Sequence, residues 1–158
     1  SFIFYFLFFL KLKLKKPIFV SKIIHRIFLH FEEKKITKEI PRLIDFLKSY
    51  MHAGVLPIQA ISFALKQRKW CASINETFSK IVTSHHQGKR LEACLTDGIL
   101  ATQEKESRQY LKLLLLSLRL GCSTGANLIQ VLEKVQSKTE EKLLLEHDII
   151  SFENLTFS

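Results

Sequence analysis

The residue types that carry most protein chemistry occur in this chain, but their spacing favours no reaction. His85 and His86 are adjacent, so on a helix their rings point to different faces and cannot share a metal ion. Glu140 and Glu141 lie in a charged stretch that is typical of a solvated helix face. Phosphate-binding motifs of the forms GxxxxGKS/T and GxGxxG do not occur. Residues 121–125, GCSTG, have the spacing GxSxG, but they follow a predicted helix and not the strand that a nucleophile elbow requires. The sequence therefore predicts no catalytic residue, no metal site, no cofactor and no enzyme activity.

The three cysteines, Cys71, Cys94 and Cys122, are odd in number and far apart. No CxxC pair is present, which argues against a structural zinc site, and the count does not suit an extracellular disulfide scaffold. Cys122 has no histidine at a motif spacing that would activate it. We interpret all three as reduced thiols in a reducing compartment.

The composition is that of a globular helical protein whose charge is unevenly distributed. The 158 residues are 47% hydrophobic and 25% charged, and 5 Gly and 3 Pro are few for an all-β protein. The formal net charge is +9, and residues 1–40 hold nine Lys or Arg against three Glu. Such a basic segment suits an anionic lipid surface or a nucleic acid.

An apolar run precedes the first basic residues. Phe2 to Leu10 is apolar throughout, but a bilayer-spanning helix needs about 20 residues. Four lysines follow the run: Lys11, Lys13, Lys15 and Lys16. A secretory signal has its positive charges first, so this order predicts the end of a transmembrane helix and a basic juxtamembrane stretch over 1–16. An aromatic core strand is the alternative.

Residues 17–36 predict a basic amphipathic helix. Apolar residues recur at helical spacing through 18–31, and Lys22 and Arg26 interrupt them. Such a helix suits the membrane surface or the flank of a domain, and we favour the membrane surface. Lys22 and Arg26 therefore join the four earlier lysines as membrane-proximal residues.

From residue 37 to residue 148, the apolar pattern predicts an all-α bundle of about six helices in antiparallel pairs. Thr37 is expected to cap the first helix, Gly54 to end it and Pro57 to open the next. The short connection between these helices makes them antiparallel neighbours. Residues 149–158 are expected to form a tail.

Turn and cap signals predict the middle helices. Ser73 with Glu76 fits a capping box, and Gly88 should end the helix that this box opens. A short helix over 91–96 should stop at the Asp-Gly pair that includes Gly98.

The last part of the bundle is predicted around its most apolar segment. Residues 99–107 are expected to form a loop, and the helix over 110–120 should lie at the centre of the bundle and end at Gly121. Asn127 should cap the last helix. The expected core includes Leu43, Leu47, Ile61, Phe78, Leu114 and Leu118.

Three short segments have the spacing and order of one protein family. They are MHAGVLPIQAI at 51–61, GKRLEACL at 88–95 and LRLGCSTGANLIQVL at 118–132. Together, over about residues 38–148, they resemble the cytoplasmic domain of the type II secretion system F family. This family comprises the inner-membrane platform proteins of type II secretion, type IV pili and tight-adherence pili. The family turn residues are Gly54, Pro57, Gly88, Gly121, Gly125 and Asn127.

The resemblance implies a non-catalytic scaffold for protein secretion or pilus assembly, located in the bacterial inner membrane with its helical domain in the cytoplasm. The implied partners are the secretion or pilus ATPase, other inner-membrane assembly proteins and membrane lipids, and self-association stays open. Family members usually have Ala where Cys94 stands, and often a second Gly where Ala126 stands. They also continue into further transmembrane helices, so we interpret this chain as truncated or as a degenerate or split copy.

The expected partner surface combines the junction from Gly121 to Asn127 with the charged face of the last helix. That face contains Glu133, Lys134, Lys138, Glu140 and Glu141. Mixed charges there can select a partner. The alternative is that the glycines only turn the chain and the charges only face water.

The second hypothesis for function is a basic helical nucleic-acid-binding protein or a membrane-surface adaptor. In residues 41–158 the two charge signs are mixed, and no helix shows the row of Lys and Arg that a groove reader needs. We therefore expect no nucleic-acid partner.

Overall fold

The structure, a computed structural model, describes residues 2–13, 17–103, 105–124 and 127–156, and most of these residues are helical. These residues form seven α-helices and one 3₁₀-helix without a strand, which confirms the all-α prediction. The α-helices are α1 (Phe2–Lys13), α2 (Pro17–His52), α3 (Pro57–Gln67), α4 (Ala72–His86), α5 (Leu91–Gln103), α6 (Gln109–Thr124) and α7 (Leu128–Thr156). The 3₁₀-helix, Glu106–Arg108, precedes α6.

The core is formed by the apolar faces of α2 to α7, with α6 at its centre. Helix α6 packs against α2, α5 and α7, and four of its leucines are buried: Leu111, Leu114, Leu115 and Leu118. All six residues expected in the core are buried, which confirms that prediction.

Helices α2 and α7 run antiparallel, as their polar contacts show. The Gln136 amide nitrogen donates to Asp45 Oδ1 at 2.7 Å and to the Pro41 carbonyl oxygen at 3.3 Å. Six residues further along α7, Lys142 donates to Glu33 Oε1 at 2.5 Å. Residue numbers therefore rise along one helix as they fall along the other.

A single helix replaces the two expected on either side of residue 37. Thr37 lies inside α2, where its buried hydroxyl donates to the Glu33 carbonyl oxygen at 2.7 Å, so its predicted role as a cap is wrong. The reason is that residues 32–38, EEKKITK, are mostly good helix formers with no Gly or Pro. Burial of Ile36 and Ile40 against the bundle then fixes this stretch as helix.

The capping box predicted at Ser73 and Glu76 is also wrong. Helix α4 begins at Ala72, so Ser73 lies within its first turn, and the Ser73 hydroxyl donates to Glu32 of α2 at 2.5 Å. Glu76 instead accepts a hydrogen bond from Lys80 at 2.8 Å. A tertiary partner has replaced the local one.

Gly98 does not end a helix. Helix α5 continues through it to Gln103, so most of the loop expected over 99–107 is helical. A methyl group at Gly98 would lie 3.3 Å from Ile81 Cδ1 and 3.4 Å from Leu115 Cδ1. The glycine therefore allows α5 to pack closely on α4 and α6.

Gly121 likewise lies within a helix, because α6 continues to Thr124. A methyl group at Gly121 would come within 2.4 Å of Leu128 Cδ1, closer than real carbon atoms approach. The predicted turn at this position is wrong because the missing side chain makes room for α7. Gly121 is buried, so its backbone is not offered to a partner.

The other family turn residues are placed as expected where they are described. Gly54 and Gly88 have φ of 84° and 94°, a conformation that favours glycine. Pro57 is the first residue of α3. Asn127 directly precedes α7, with its Oδ1 3.5 Å from the Gln130 nitrogen. Gly125 lies outside the described residues.

The two ends of the chain are helical where they are described. Helix α1 contains the apolar run, and α7 continues to Thr156 through most of the expected tail. Within the described residues, none of the helices combines the length and the apolar character needed to cross a bilayer.

Leu114→Ala should lower the free energy of unfolding by about 2–5 kcal/mol, because it removes buried methyl groups from the central helix and leaves a cavity. Chemical denaturation followed by circular dichroism measures the loss. The control is Leu116→Ala on the same helix, whose leucine is 36% exposed and should cost much less. Equal losses would show that α6 is not packed as described.

Gly121→Ala should lower the melting temperature although alanine favours a helix over glycine by about 1 kcal/mol. The methyl group would overlap Leu128, and overpacking of this kind costs about 1–3 kcal/mol. The loss should shrink in a Leu128→Ala background, since the overlapping Cδ1 is then absent. A stabilised Gly121→Ala protein would contradict the close approach of α6 and α7.

Candidate interaction surface

Glu32 connects α2 to two other parts of the bundle. Its carboxylate accepts hydrogen bonds from Ser73 Oγ at 2.5 Å and Ser107 Oγ at 2.9 Å. The Arg108 guanidinium adds two more, at 3.2 Å from Nε and 3.0 Å from Nη2. The Glu32 and Arg108 side chains are only 16% and 11% exposed, so this ion pair is shielded from water. It joins α2, the start of α4 and the 3₁₀-helix at one point.

The environment of Glu32 favours its charged form. Burial alone would raise the pKa of Glu32, but the hydrogen bonds from Ser73, Ser107 and Arg108 and the positive charge of Arg108 lower it below its ordinary 4.5. Glu32 is therefore ionised at neutral pH.

Glu39, two turns further along α2, supports the start of α4. Its Oε2 accepts the Cys71 backbone N–H at 2.6 Å, and its Oε1 accepts a hydrogen bond from Arg68 at 3.3 Å. In the described structure, Cys71 provides no side-chain hydrogen bond to cap α4. A carboxylate from α2 thus provides the negative charge that a helix start favours.

Glu33 connects α2 to the last helix. Lys142 lies 2.5 Å from Glu33 Oε1, 3.8 Å from Glu146 Oε1 and 5.0 Å from the centre of the Tyr110 ring. Burial alone would lower the pKa of Lys142, but the hydrogen bond and charge of Glu33, together with Tyr110 and Glu146, raise it. Lys142 therefore stays charged at neutral pH.

The internal bonding of these three carboxylates leaves the basic residues around them without acidic partners. Glu32, Glu33 and Glu39 are the only acidic residues among the first forty. In the described part of that segment, no lysine or arginine side chain forms an ion pair. The exposed basic residues of α2 in this segment are Lys22, Arg26, Lys34, Lys35 and Lys38. Their positive charge is therefore available to an external partner.

The outward side of α2 carries an apolar stripe followed by lysines. Because α2 is unbroken and turns by about 100° per residue, its two halves share one register. The stripe lies opposite the core-facing residues Ile36, Ile40, Leu43 and Leu47, and consists of Val20, Ile23, Ile24, Ile27, Phe28 and Phe31. These stripe residues are exposed, Phe28 by 66%. Lys34, Lys35 and Lys38 continue the same outward side, whereas Lys22 and Arg26 lie away from it.

A groove of about 510 Å³ lies where the stripe meets these lysines. We call it the lysine groove, and its main lining residues are Phe28, Phe31, Lys35, Lys38, Lys69 and Trp70. Trp70 is held firmly, because its Nε1 donates to the Ala64 carbonyl oxygen at 2.9 Å and Arg68 lies 4.7 Å from its ring centre. The groove therefore combines a fixed tryptophan in its wall with exposed lysines on its rim.

The charged face predicted on α7 is exposed but divided. Lys138 and Glu141 line a groove of about 510 Å³ between α6 and α7, together with Tyr110. Glu133 and Glu140 lie roughly a third of a turn around the helix. Lys134 shares the side of Lys138 and Glu141. The structure thus places the predicted face on two sides of α7, with all five residues exposed.

The first predicted membrane-proximal lysines lie before α2. Lys11 and Lys13 belong to the end of α1, and Lys15 and Lys16 lie outside the described residues.

The sequence interpretation missed the lysine groove because it placed a helix boundary at residue 37. A helix drawn through residues 17–52 would have put Phe28, Phe31, Lys35 and Lys38 on one side.

The cysteines and histidines form no chemical centre in the part of the chain that can be described. Burial raises the pKa of all three thiols, which disfavours the reactive thiolate. His85 Nδ1 lies 3.1 Å from the Lys89 carbonyl oxygen. No group of three or more metal-ligating side chains comes together among the described residues.

Comparisons with protein-family models, curated proteins and solved structures find no match to this chain. Inferences about its function therefore rest on its own residues and their arrangement.

Glu32→Gln should destabilise the fold at neutral pH by about 1–3 kcal/mol, because it weakens charge-assisted hydrogen bonds in a shielded site. Since the folded-state pKa of Glu32 is lowered, its stabilising effect is complete above 4.5 and is lost as the pH falls through that lower pKa. The difference between wild type and variant should shrink accordingly in urea titrations at decreasing pH. Glu76→Gln, which alters an exposed pair, is the control. A difference independent of pH would contradict the role of the Glu32 charge.

Proposed function

We propose that this chain contains the cytoplasmic docking domain of an inner-membrane platform protein of the type II secretion system F family. Such a platform serves type II secretion or the assembly of type IV or tight-adherence pili. The observation that carries the proposal is where the three family-like segments lie. Residues 51–61 span the junction of α2 and α3, residues 88–95 follow the turn from α4 into α5, and residues 118–132 span the junction of α6 and α7.

Positions within these segments have physical reasons for their residue types. Gly54 and Gly88 adopt positive φ, and Gly121 admits Leu128 between two packed helices. The similarity is thus concentrated at positions where the bundle geometry restricts the side chain. This argument supports the proposed fold relationship, and the docking role follows from the family resemblance.

The partner that we propose is the cytoplasmic ATPase of the secretion or pilus machine. Exposed residues of both charges along α7 provide a surface that can select a partner of complementary charge. A scaffold of this kind binds other proteins and needs no reacting group, so we propose a non-catalytic role.

The proposed location is the bacterial inner membrane, with the bundle in the cytoplasm. The aromatic residues of α1 and the stripe on α2 are exposed, and such surfaces are stabilised by contact with lipid. The lysines that follow them suit the cytoplasmic side.

A membrane-surface adaptor is the second candidate, and the stripe on α2 is the observation that favours it. Exposed apolar residues that include Phe28 and Phe31 precede the lysines on the outward side of α2, which suits lipid better than a nucleic-acid backbone. An adaptor of this kind would bind vesicles but no secretion ATPase.

Changing Glu133, Glu140 and Glu141 to Lys should weaken binding of the ATPase encoded with this chain, because the change reverses the negative part of the α7 surface. A pull-down with the full chain, backed by a melting curve, measures the effect. We expect at least tenfold weaker binding, on the order of 1.4 kcal/mol, with an unchanged melting temperature.

The matched control changes Glu76, Glu92 and Glu153 to Lys, which are exposed residues outside the proposed face. It applies the same total charge change and should leave binding near the wild-type level. Equal weakening in both variants would reject the proposed face. Failure of the wild-type chain to bind any ATPase or inner-membrane assembly protein would reject the docking function.

A further inference from the structure

We propose that the lysine groove binds the phosphate headgroup of an anionic phospholipid at the membrane surface, with the stripe of α2 lying in the plane of that surface. This inference rests on the membrane location in the proposed function. It adds a lipid-binding site on the folded bundle itself, beyond the apolar run and lysines that precede α2.

The charge in the groove is the first argument. Lys35, Lys38 and Lys69 are exposed on its rim. The two carboxylates that also border it, Glu32 and Glu39, already bind Arg108 and Arg68 at 3.0 and 3.3 Å. Three positive charges therefore remain for a ligand, and lysine commonly binds phosphate as a point charge.

The apolar stripe is the second argument, because it distinguishes a lipid from a free phosphate. Val20 and Phe31 are eleven residues apart, which corresponds to about 16 Å along a helix. A stripe of this length that lies in the plane of the membrane surface would bury its apolar side chains about 5–10 Å into the boundary between headgroups and acyl chains. A lipid with its phosphate at Lys35 and Lys38 would then place the upper part of its chains beside Phe28 and Phe31.

The wall of the groove is the third argument, and it also supplies a probe. Trp70 is the single tryptophan of the chain, and it lines the groove while its indole nitrogen is bound to Ala64. A headgroup in the groove would lie beside this ring. The ends of its acyl chains would lie deeper in the bilayer and further from the ring.

The test measures binding of the full chain to vesicles of phosphatidylcholine and phosphatidylglycerol at low salt. One variant changes Lys35, Lys38 and Lys69 to Gln, and the matched control changes Lys66, Lys80 and Lys105 to Gln. All six lysines are exposed, and none of the control residues lines the groove. Because lysines close to an anionic surface strengthen binding to it, the groove variant should bind at least about tenfold more weakly and the control nearly as well as wild type.

Quenching of Trp70 fluorescence tests the orientation of the lipid. A spin label on the lipid headgroup should quench Trp70 more strongly than a label near the end of the acyl chain. The reverse order would overturn the proposal, because it would place the groove in the hydrocarbon instead of at the phosphates.

Four other results would overturn the proposed site. The first is equal loss of vesicle binding in the groove and control variants, which would indicate a diffuse charge effect. The second is no loss of binding in the groove variant. The third is competition by inorganic phosphate alone at the vesicle-binding affinity, and the fourth is tighter binding of RNA or duplex DNA than of vesicles. Binding of the ATPase by the groove variant separates the two proposals, because this site can fail while docking through α7 persists.

Discussion

The half-buried carboxylates of α2 are the interactions on which the arrangement of the other helices depends. Glu32, Glu33 and Glu39 lie within eight consecutive residues, yet they bind partners near the start of α4, in the 3₁₀-helix and in α7. A carboxylate in such a position is costly unless its partners are in place. These three residues therefore fix the register of α2 against most of the bundle, in addition to the apolar contacts of Ile36, Ile40 and Leu43.

The same interactions determine the surface charge of the protein. Because the acidic side chains of this segment turn inward, Lys34, Lys35 and Lys38 remain on the outside without acidic neighbours bound to them in the described structure. The net charge of the sequence therefore understates how positive the outward side of α2 is. Helix α2 thus directs its carboxylates towards the bundle, where they bind partners, and its lysines outward, where they can attract anions.

The sequence predicts the helical class, the main core residues and the turns at Gly54 and Gly88, since these depend on local pattern and backbone conformation. Gly98 and Gly121 have the same residue type but serve close helix contacts, which only the tertiary structure distinguishes from turns. The lysine groove was beyond sequence reasoning for a related reason. It depends on α2 being continuous and on Trp70 arriving from another part of the chain.

The length of α2 has a mechanical consequence. A continuous helix of 36 residues is about 54 Å long, and only its second half is packed into the bundle. Residues 17–31 continue into the packed part of α2 without interruption and form a stiff lever arm of about 22 Å. A tilt of the bundle by about 10° would move the tip of this arm by roughly 4 Å. A partner that tilts the bundle would therefore also move the far end of α2, because no flexible joint separates the two.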